Sequence, residues 1–103
     1  MINLTVLHPY VENKKFDMDY YLNVHIPHIK AIGGKKIKNI YIEKGLSGLK
    51  PNSPPSFKVI IHLSFESKED CEELLAKVGK LPTDDTANFT EVTPILQISE
   101  IKL

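Results

Sequence analysis

The sequence predicts a single α+β domain with the element order βαββαβ. Three patterns lead to this prediction: four stretches of strand character, two stretches with apolar residues at helical spacing, and turn-forming residues between them. At 103 residues, the chain is long enough for one hydrophobic core. Residues 1–103 are therefore expected to form one domain.

Four strands are predicted from alternating apolar and polar residues. They are Ile2–Leu7, Lys36–Lys44, Phe57–Phe65 and about Pro94–Lys102. The first is ended by His8-Pro9, because a proline restricts the residue before it. Gly, Pro, Asn and Ser crowd the stretch Gly45–Ser56, which is predicted to be a loop.

Two helices complete the pattern. The first is predicted over Met18–Ile32, with Asp17 as its N-cap and Gly33-Gly34 as its stop. The second begins after Ser67, whose hydroxyl can cap it, and extends to about Leu81. A polar segment, Pro82–Glu91, then leads to the last strand.

This order favours a ferredoxin-like sandwich, in which both helices cover one face of an antiparallel four-stranded sheet. The covered face is expected to carry Ile2, Leu4, Val6, Ile40, Ile42, alternate residues of Phe57–Phe65, Leu96 and Ile98. The other face would carry Asn3, Thr5, Leu7, Asn39, Tyr41, Ile60, His62, Ser64, Ile95, Gln97 and Ser99. A solvated outer face is one interpretation of this mixture. The sequence favours a homodimer, in which a second copy's sheet covers it and His62, Tyr41 and Gln97 lie in the seam.

Charge and composition limit the partners of the chain. Its 13 basic and 13 acidic residues give a net charge of zero, so no basic field favours nucleic acid or an anionic membrane. The first residues lack a basic leader, and no stretch approaches 18 apolar residues. A soluble cytoplasmic protein is expected. The single cysteine, Cys71, excludes an intrachain disulfide and a multi-cysteine metal site.

The first predicted helix has a histidine on its apolar stripe. At about 100° per residue, six side chains fall within about 60° of one line. They are Met18, Tyr21, Leu22, His25, Ile29 and Ile32. His25 lies at the centre and is expected to face the sheet, whereas Tyr20 is expected to face solvent or an interface. Pro27, on the outer side, lacks an N–H and should bend the helix beside His25.

A buried imidazole needs hydrogen-bond partners, since leaving it unpaired costs about 1–3 kcal/mol. His25 is therefore either a structural residue bonded to a carbonyl or a tyrosine, or an acid/base group in a pocket. His8, on the helix-facing side of the first strand, is expected to border the same pocket. His25 and His28 form an HxxH pair, but no nearby Cys or carboxylate completes a metal site, so no metal is expected.

Three stretches resemble the EthD-like family of small dimeric α/β-barrel proteins: FDMDYYLNVHIP, IIHLSF and NFTEVTPILQISEI. The most specific part is the pattern Phe-Asp-x-x-Tyr-Tyr-x-x-x-His-x-Pro, which begins at Phe16. Two parts of the chain differ from the family's usual sequence. The loop after KGL is less glycine-rich, and His8 stands where an aromatic residue is expected. The resemblance implies a ferredoxin-like fold that dimerises sheet to sheet and a link to ether degradation. It also implies that the family's histidine and proline correspond to His25 and Pro27, and its helix-start aspartate and tyrosines to Asp17, Tyr20 and Tyr21.

Two functions are consistent with these observations. In the first, a small apolar metabolite, cyclic, aromatic or ether-derived, undergoes a cofactor-free oxidoreductase- or isomerase-type reaction. His25 would transfer the proton and Tyr21 would donate a hydrogen bond. The substrate-binding residues would be Met18, Leu22, Ile29, His8, Ile61 and Leu63. In the second, the pocket only binds a metabolite or supports an oxygenase of a degradation system, and His25 is a structural hinge.

Overall fold

The computed structural model describes residues 1–78 and 85–103. Its four strands are β1 (Ile2–Pro9), β2 (Asn39–Lys44), β3 (Phe57–Phe65) and β4 (Ile95–Glu100). They form one antiparallel sheet in the order β2-β3-β1-β4. The predicted four-stranded antiparallel sheet is therefore confirmed.

The first helical region runs in three consecutive parts: α1 (Met18–Tyr20), a π-helical turn (Tyr21–His25) and α2 (Ile26–Gly33). Asp17 caps it, because its Oδ1 accepts a hydrogen bond of 3.0 Å from the backbone N–H of Tyr20. Gly34, with a φ of +54°, ends it. A 3₁₀ turn, Gly34–Lys36, follows, so β2 begins later than the sequence predicted.

The π-helical turn changes which side chains face the sheet. In it, the backbone N–H of Ile26 donates to the carbonyl of Tyr21, five residues earlier. Both side chains are buried, whereas Leu22 is 44% exposed. The prediction that Leu22 faces inward is therefore wrong, because a uniform rotation of about 100° per residue does not hold across this turn. Pro27 lies in the first turn of α2, where a missing N–H is tolerated.

The third helix, α3 (Lys68–Val78), packs beside α2 and against the sheet. The hydroxyl of Ser67 accepts a hydrogen bond of 3.2 Å from the backbone N–H of Asp70, which confirms the predicted cap. The predicted helix end near Leu81 and the start of the polar segment at Pro82 lie outside the described residues. None of the helices in the described ranges has the length and apolar composition needed to cross a membrane.

The hydrophobic core lies between the helices and one face of the sheet. Its buried members are Leu4, Tyr21, Ile26, Ile29, Val59, Ile61, Leu63, Phe65, Cys71, Leu74 and Phe89. Leu96 and Ile98 lie on the predicted face, since they pair in register with Val6 and Leu4. They are nevertheless exposed, because β4 is an edge strand with a neighbour on one side only.

Candidate active site

A cavity of about 170 Å³ lies between the helices and the sheet. Its apolar walls are Leu4, Val6, Ile26, Ile29, Ile61, Leu63, Leu74, Leu75, Val78, Phe89, Pro94 and Leu96. Four side chains with polar atoms complete the lining: His8, Tyr21, His25 and Thr86. There is thus room for a small molecule beside His25.

The structure brings most of the predicted site residues together. His8, Tyr21, His25, Ile29, Ile61 and Leu63 all line the cavity. Leu22 faces outward, because the π-helical turn changes the rotation between successive side chains. Met18, one turn before Tyr21, packs against the core but does not reach the cavity walls. The expectation that Met18 and Leu22 line the pocket is therefore corrected.

One residue of the site, Asp85, is not predicted by any pattern in the sequence; it is the first residue of a 3₁₀ turn, Asp85–Asn88. Its Oδ2 lies 2.8 Å from Nδ1 of His25, and the two side chains are only 12% and 17% exposed. Because an ionised carboxylate can only accept a hydrogen bond, Nδ1 carries a proton and Nε2 is left for a ligand. No group of three or more potential metal ligands occurs within residues 1–78 and 85–103.

Two further donors hold the Asp85 carboxylate. The Tyr20 hydroxyl donates to Oδ1 at 2.6 Å, and the Asn88 amide donates to the same oxygen at 3.1 Å. Burial alone would raise the pKa of Asp85, but the hydrogen bonds from Tyr20, Asn88 and His25 outweigh it and the pKa lies below its usual value. Asp85 is therefore ionised at neutral pH. Tyr20, expected at the surface or an interface, instead anchors this carboxylate.

Two aromatic side chains hold the His25 ring. The ring of Tyr21 stacks on it with centroids 5.4 Å apart, and the ring of Phe89 lies 4.7 Å away. Burial raises the pKa of Tyr21, so its hydroxyl keeps its proton and can donate a hydrogen bond. None of the hydrogen bonds among the described residues uses that hydroxyl. It is therefore available to a ligand.

The second histidine of the cavity, His8, is 3% exposed. Within the described part of the chain, neither of its ring nitrogens has a hydrogen-bond partner. Its ring contacts Phe16, Tyr21 and Phe89 edge to face, with centroids 5.1, 5.4 and 5.8 Å apart. Burial, and secondarily the charge of His25, lower the pKa of His8 to about 4, so it is neutral at pH 7.

This pKa predicts an acid-sensitive fold. The unfolded chain binds a proton at His8 below about pH 6.5 while the folded chain does not, so His8 costs the folded state up to about 1.4 kcal/mol per pH unit between pH 6.5 and 4. His8→Phe should remove this cost. Denaturant unfolding of both proteins should show the variant gaining about 2–3 kcal/mol over the wild type between about pH 7 and pH 4.5. If the difference in free energy of unfolding between the variant and the wild type were the same at both pH values, His8 could not be buried in its neutral form.

Fold and site together define a class: a small α+β protein with an antiparallel sheet and a histidine–aspartate pair beside an apolar cavity. A solved structure of a protein from Ralstonia eutropha, described as EthD-like, is 34% identical with a TM-score of 0.92, and the match covers 99% of this chain and 92% of that one. The chain belongs to the EthD-like family, as the sequence resemblance predicted.

Two more distant structures are similar in fold. A Bacillus halodurans protein, described as an ethyl tert-butyl ether degradation (EthD) family protein, has 19% identity, a TM-score of 0.69 and coverage of 99% of both chains. A Bacteroides fragilis protein, described as dimeric with a ferredoxin-like fold and unknown function, has 14% identity, a TM-score of 0.50 and coverage of 97% of this chain and 95% of its own. No protein-family model matches the sequence, and no curated protein is significantly similar to it.

Proposed function

We propose that the chain is an enzyme that moves a proton on a small apolar metabolite, with His25 as the acid/base. The observation that carries this proposal is the 2.8 Å hydrogen bond between His25 and Asp85 at the wall of a cavity with room for a ligand. Asp85 fixes the orientation and tautomer of the imidazole and stabilises the imidazolium that forms when Nε2 takes a proton.

The proposed reaction uses three groups of the site. Nε2 of His25 removes a proton from a ligand carbon beside a carbonyl, and the electron pair moves to the ligand oxygen. The Tyr21 hydroxyl donates a hydrogen bond to that oxygen as its negative charge develops. His25 then returns the proton to a different ligand atom. The protons balance, and the product is an isomer of the substrate.

Two reaction types are expected from the sequence, and the groups of this site support the isomerase type best. Once His25 has returned the proton to the ligand, an isomerisation is complete and needs no further reactant. The oxidoreductase type would share the first step and then pass electrons to an acceptor. The description of the Bacillus halodurans relative mentions ethyl tert-butyl ether, and an ether-derived ligand would also suit the apolar walls.

Hydrogen–deuterium exchange tests the proposed proton transfer. One-ring cyclic ketones and lactones are incubated with the protein in D₂O, and loss of the proton beside the carbonyl is followed by NMR. We expect exchange that exceeds the buffer rate and saturates with ligand concentration. Ligands that bind without enhanced exchange would favour the alternative, a metabolite-binding or accessory protein, and would contradict catalysis.

We also infer that the chain forms a homodimer through the sheet face that the helices leave uncovered. Leu7 pairs in register with both Ile60 and Ile95, so an apolar row crosses this face. Beside it, Tyr41 is 60% exposed and lies 5.8 Å from the ring of His62. A second copy would remove this apolar surface from water. The Bacteroides fragilis protein of similar fold is described as dimeric.

A charge on this face should separate the copies. Tyr41→Lys places like charges in the proposed seam while leaving the buried core untouched, so we expect a dimer for the wild type and a monomer for the variant. Sedimentation velocity at micromolar concentration measures both. Leu49→Lys, at a fully exposed loop position, is the matched control and should stay dimeric. A well-folded wild-type monomer would contradict the inference.

A further inference from the structure

We propose that the cavity takes an uncharged molecule the size of one ring, whose hydroxyl or carbonyl oxygen forms a hydrogen bond with His8. This rests on the proposed function, because it concerns the same cavity and names the class of ligand. It adds a role for His8, a residue that the proton transfer does not use.

The size of the ligand follows from the cavity volume of about 170 Å³. An engineered apolar cavity of about 150 Å³ in another protein binds benzene. The space is therefore suited to one ring with a small substituent.

The absence of charge follows from the lining. None of the described residues that line the cavity is a lysine, aspartate or glutamate, and the sequence contains no arginine. His8 is neutral, and His25 is already paired with Asp85. A ligand carboxylate or phosphate would be buried with no free cation, and a ligand ammonium would find the Asp85 carboxylate already bonded to three donors.

The hydrogen-bonding oxygen follows from His8. A neutral imidazole has one donor and one acceptor, and both are buried and unpaired within the described residues. An apolar side chain would fill the same space without this cost, so a histidine here is explained by a partner that enters the cavity. Since the two nitrogens are covered, binding requires the imidazole to turn toward the cavity that its ring already lines. A hydroxyl can meet either nitrogen, and a carbonyl can accept from the N–H.

Three ligands with the same ring separate these requirements: 4-methylphenol is uncharged and has an oxygen, toluene lacks the oxygen, and 4-methylbenzoate is charged. Binding is measured by NMR at about pH 7 on protein labelled with ¹⁵N at histidine. We expect 4-methylphenol to bind about tenfold more tightly than toluene, and 4-methylbenzoate to bind most weakly. The ring nitrogens of His8 should shift with 4-methylphenol only.

His8→Phe should abolish the preference for 4-methylphenol over toluene, whereas His28→Phe, at an exposed position that does not line the cavity, should keep it. The wild-type ranking tests the proposal even if a variant does not fold. Equal binding of toluene and 4-methylphenol, tight binding of 4-methylbenzoate, or unshifted His8 nitrogens would overturn it. If the protein accelerates deuterium exchange of ketones but does not rank the three ligands in this order, the role of His8 is contradicted and the proton transfer is not. If it ranks the ligands in this order but does not accelerate exchange, catalysis is contradicted and the role of His8 is not.

Discussion

Replacing His25 with glutamine should lower the protein-catalysed rate of deuterium exchange by at least about 100-fold, the usual contribution of a positioned acid/base. Glutamine can still form a hydrogen bond with Asp85, but it cannot take up a proton near neutral pH. The rate is measured by NMR on the ligand that exchanges fastest with the wild type. Far-UV circular dichroism and thermal melting confirm that the variant is folded.

His28→Gln is the matched control. It makes the same chemical change three residues later, at an exposed position that does not line the cavity. We expect its exchange rate to equal that of the wild type. A wild-type exchange rate in His25→Gln would end the assignment of His25 as the acid/base. Equal losses of exchange rate in both variants would show that the loss comes from a change in the helix and not from the missing imidazole of His25.

Replacing Phe89 with alanine should reduce the free energy of unfolding by about 3–5 kcal/mol, the usual effect of deleting a buried aromatic ring. Phe89 is 3% exposed, and its ring contacts five others: His8, Phe16, Tyr20, Tyr21 and His25. Its backbone carbonyl also accepts a hydrogen bond of 2.7 Å from the N–H of Asp17. Denaturant unfolding measures the loss.

Phe89→Leu gives a second measurement if the alanine variant does not fold, with an expected loss of about 1–2 kcal/mol because most of the apolar volume is kept. Leu49→Ala, at a fully exposed position, should change the stability by less than about 0.5 kcal/mol. If Phe89→Ala cost no more than Leu49→Ala, Phe89 would not be a core residue of this site.

The fold could be predicted because its determinants are local. Strand alternation marks the strands, Asp17 and Ser67 cap helices through their own side chains, and Gly34 ends a helix with a positive φ. Each of these signals involves residues within a few positions of one another, so a short window of sequence contains it.

The site could be predicted only in part, because its central contact is not local. His25 and Asp85 are 60 residues apart, and the segment around Asp85 reads as an ordinary polar connection. The inward positions of the helix were also partly misassigned, since a π-helical turn leaves no mark in a pattern built on regular helical spacing. His8 and His25 were found because a histidine among apolar residues stands out in any window.

The π-helical turn gives this helix the geometry of a one-residue insertion. On a regular α-helix, Tyr20 and His25 would point about 140° apart and could not share one carboxylate. The wider turn brings residues five apart to the same side, and both side chains reach Asp85. Deleting one residue from the stretch 22–24 would restore the regular pitch and leave the two side chains four positions apart, about 40° from each other and still on one side of the helix. The π-helical turn therefore accommodates one extra residue in the helix while keeping the two hydrogen-bond partners of Asp85 side by side.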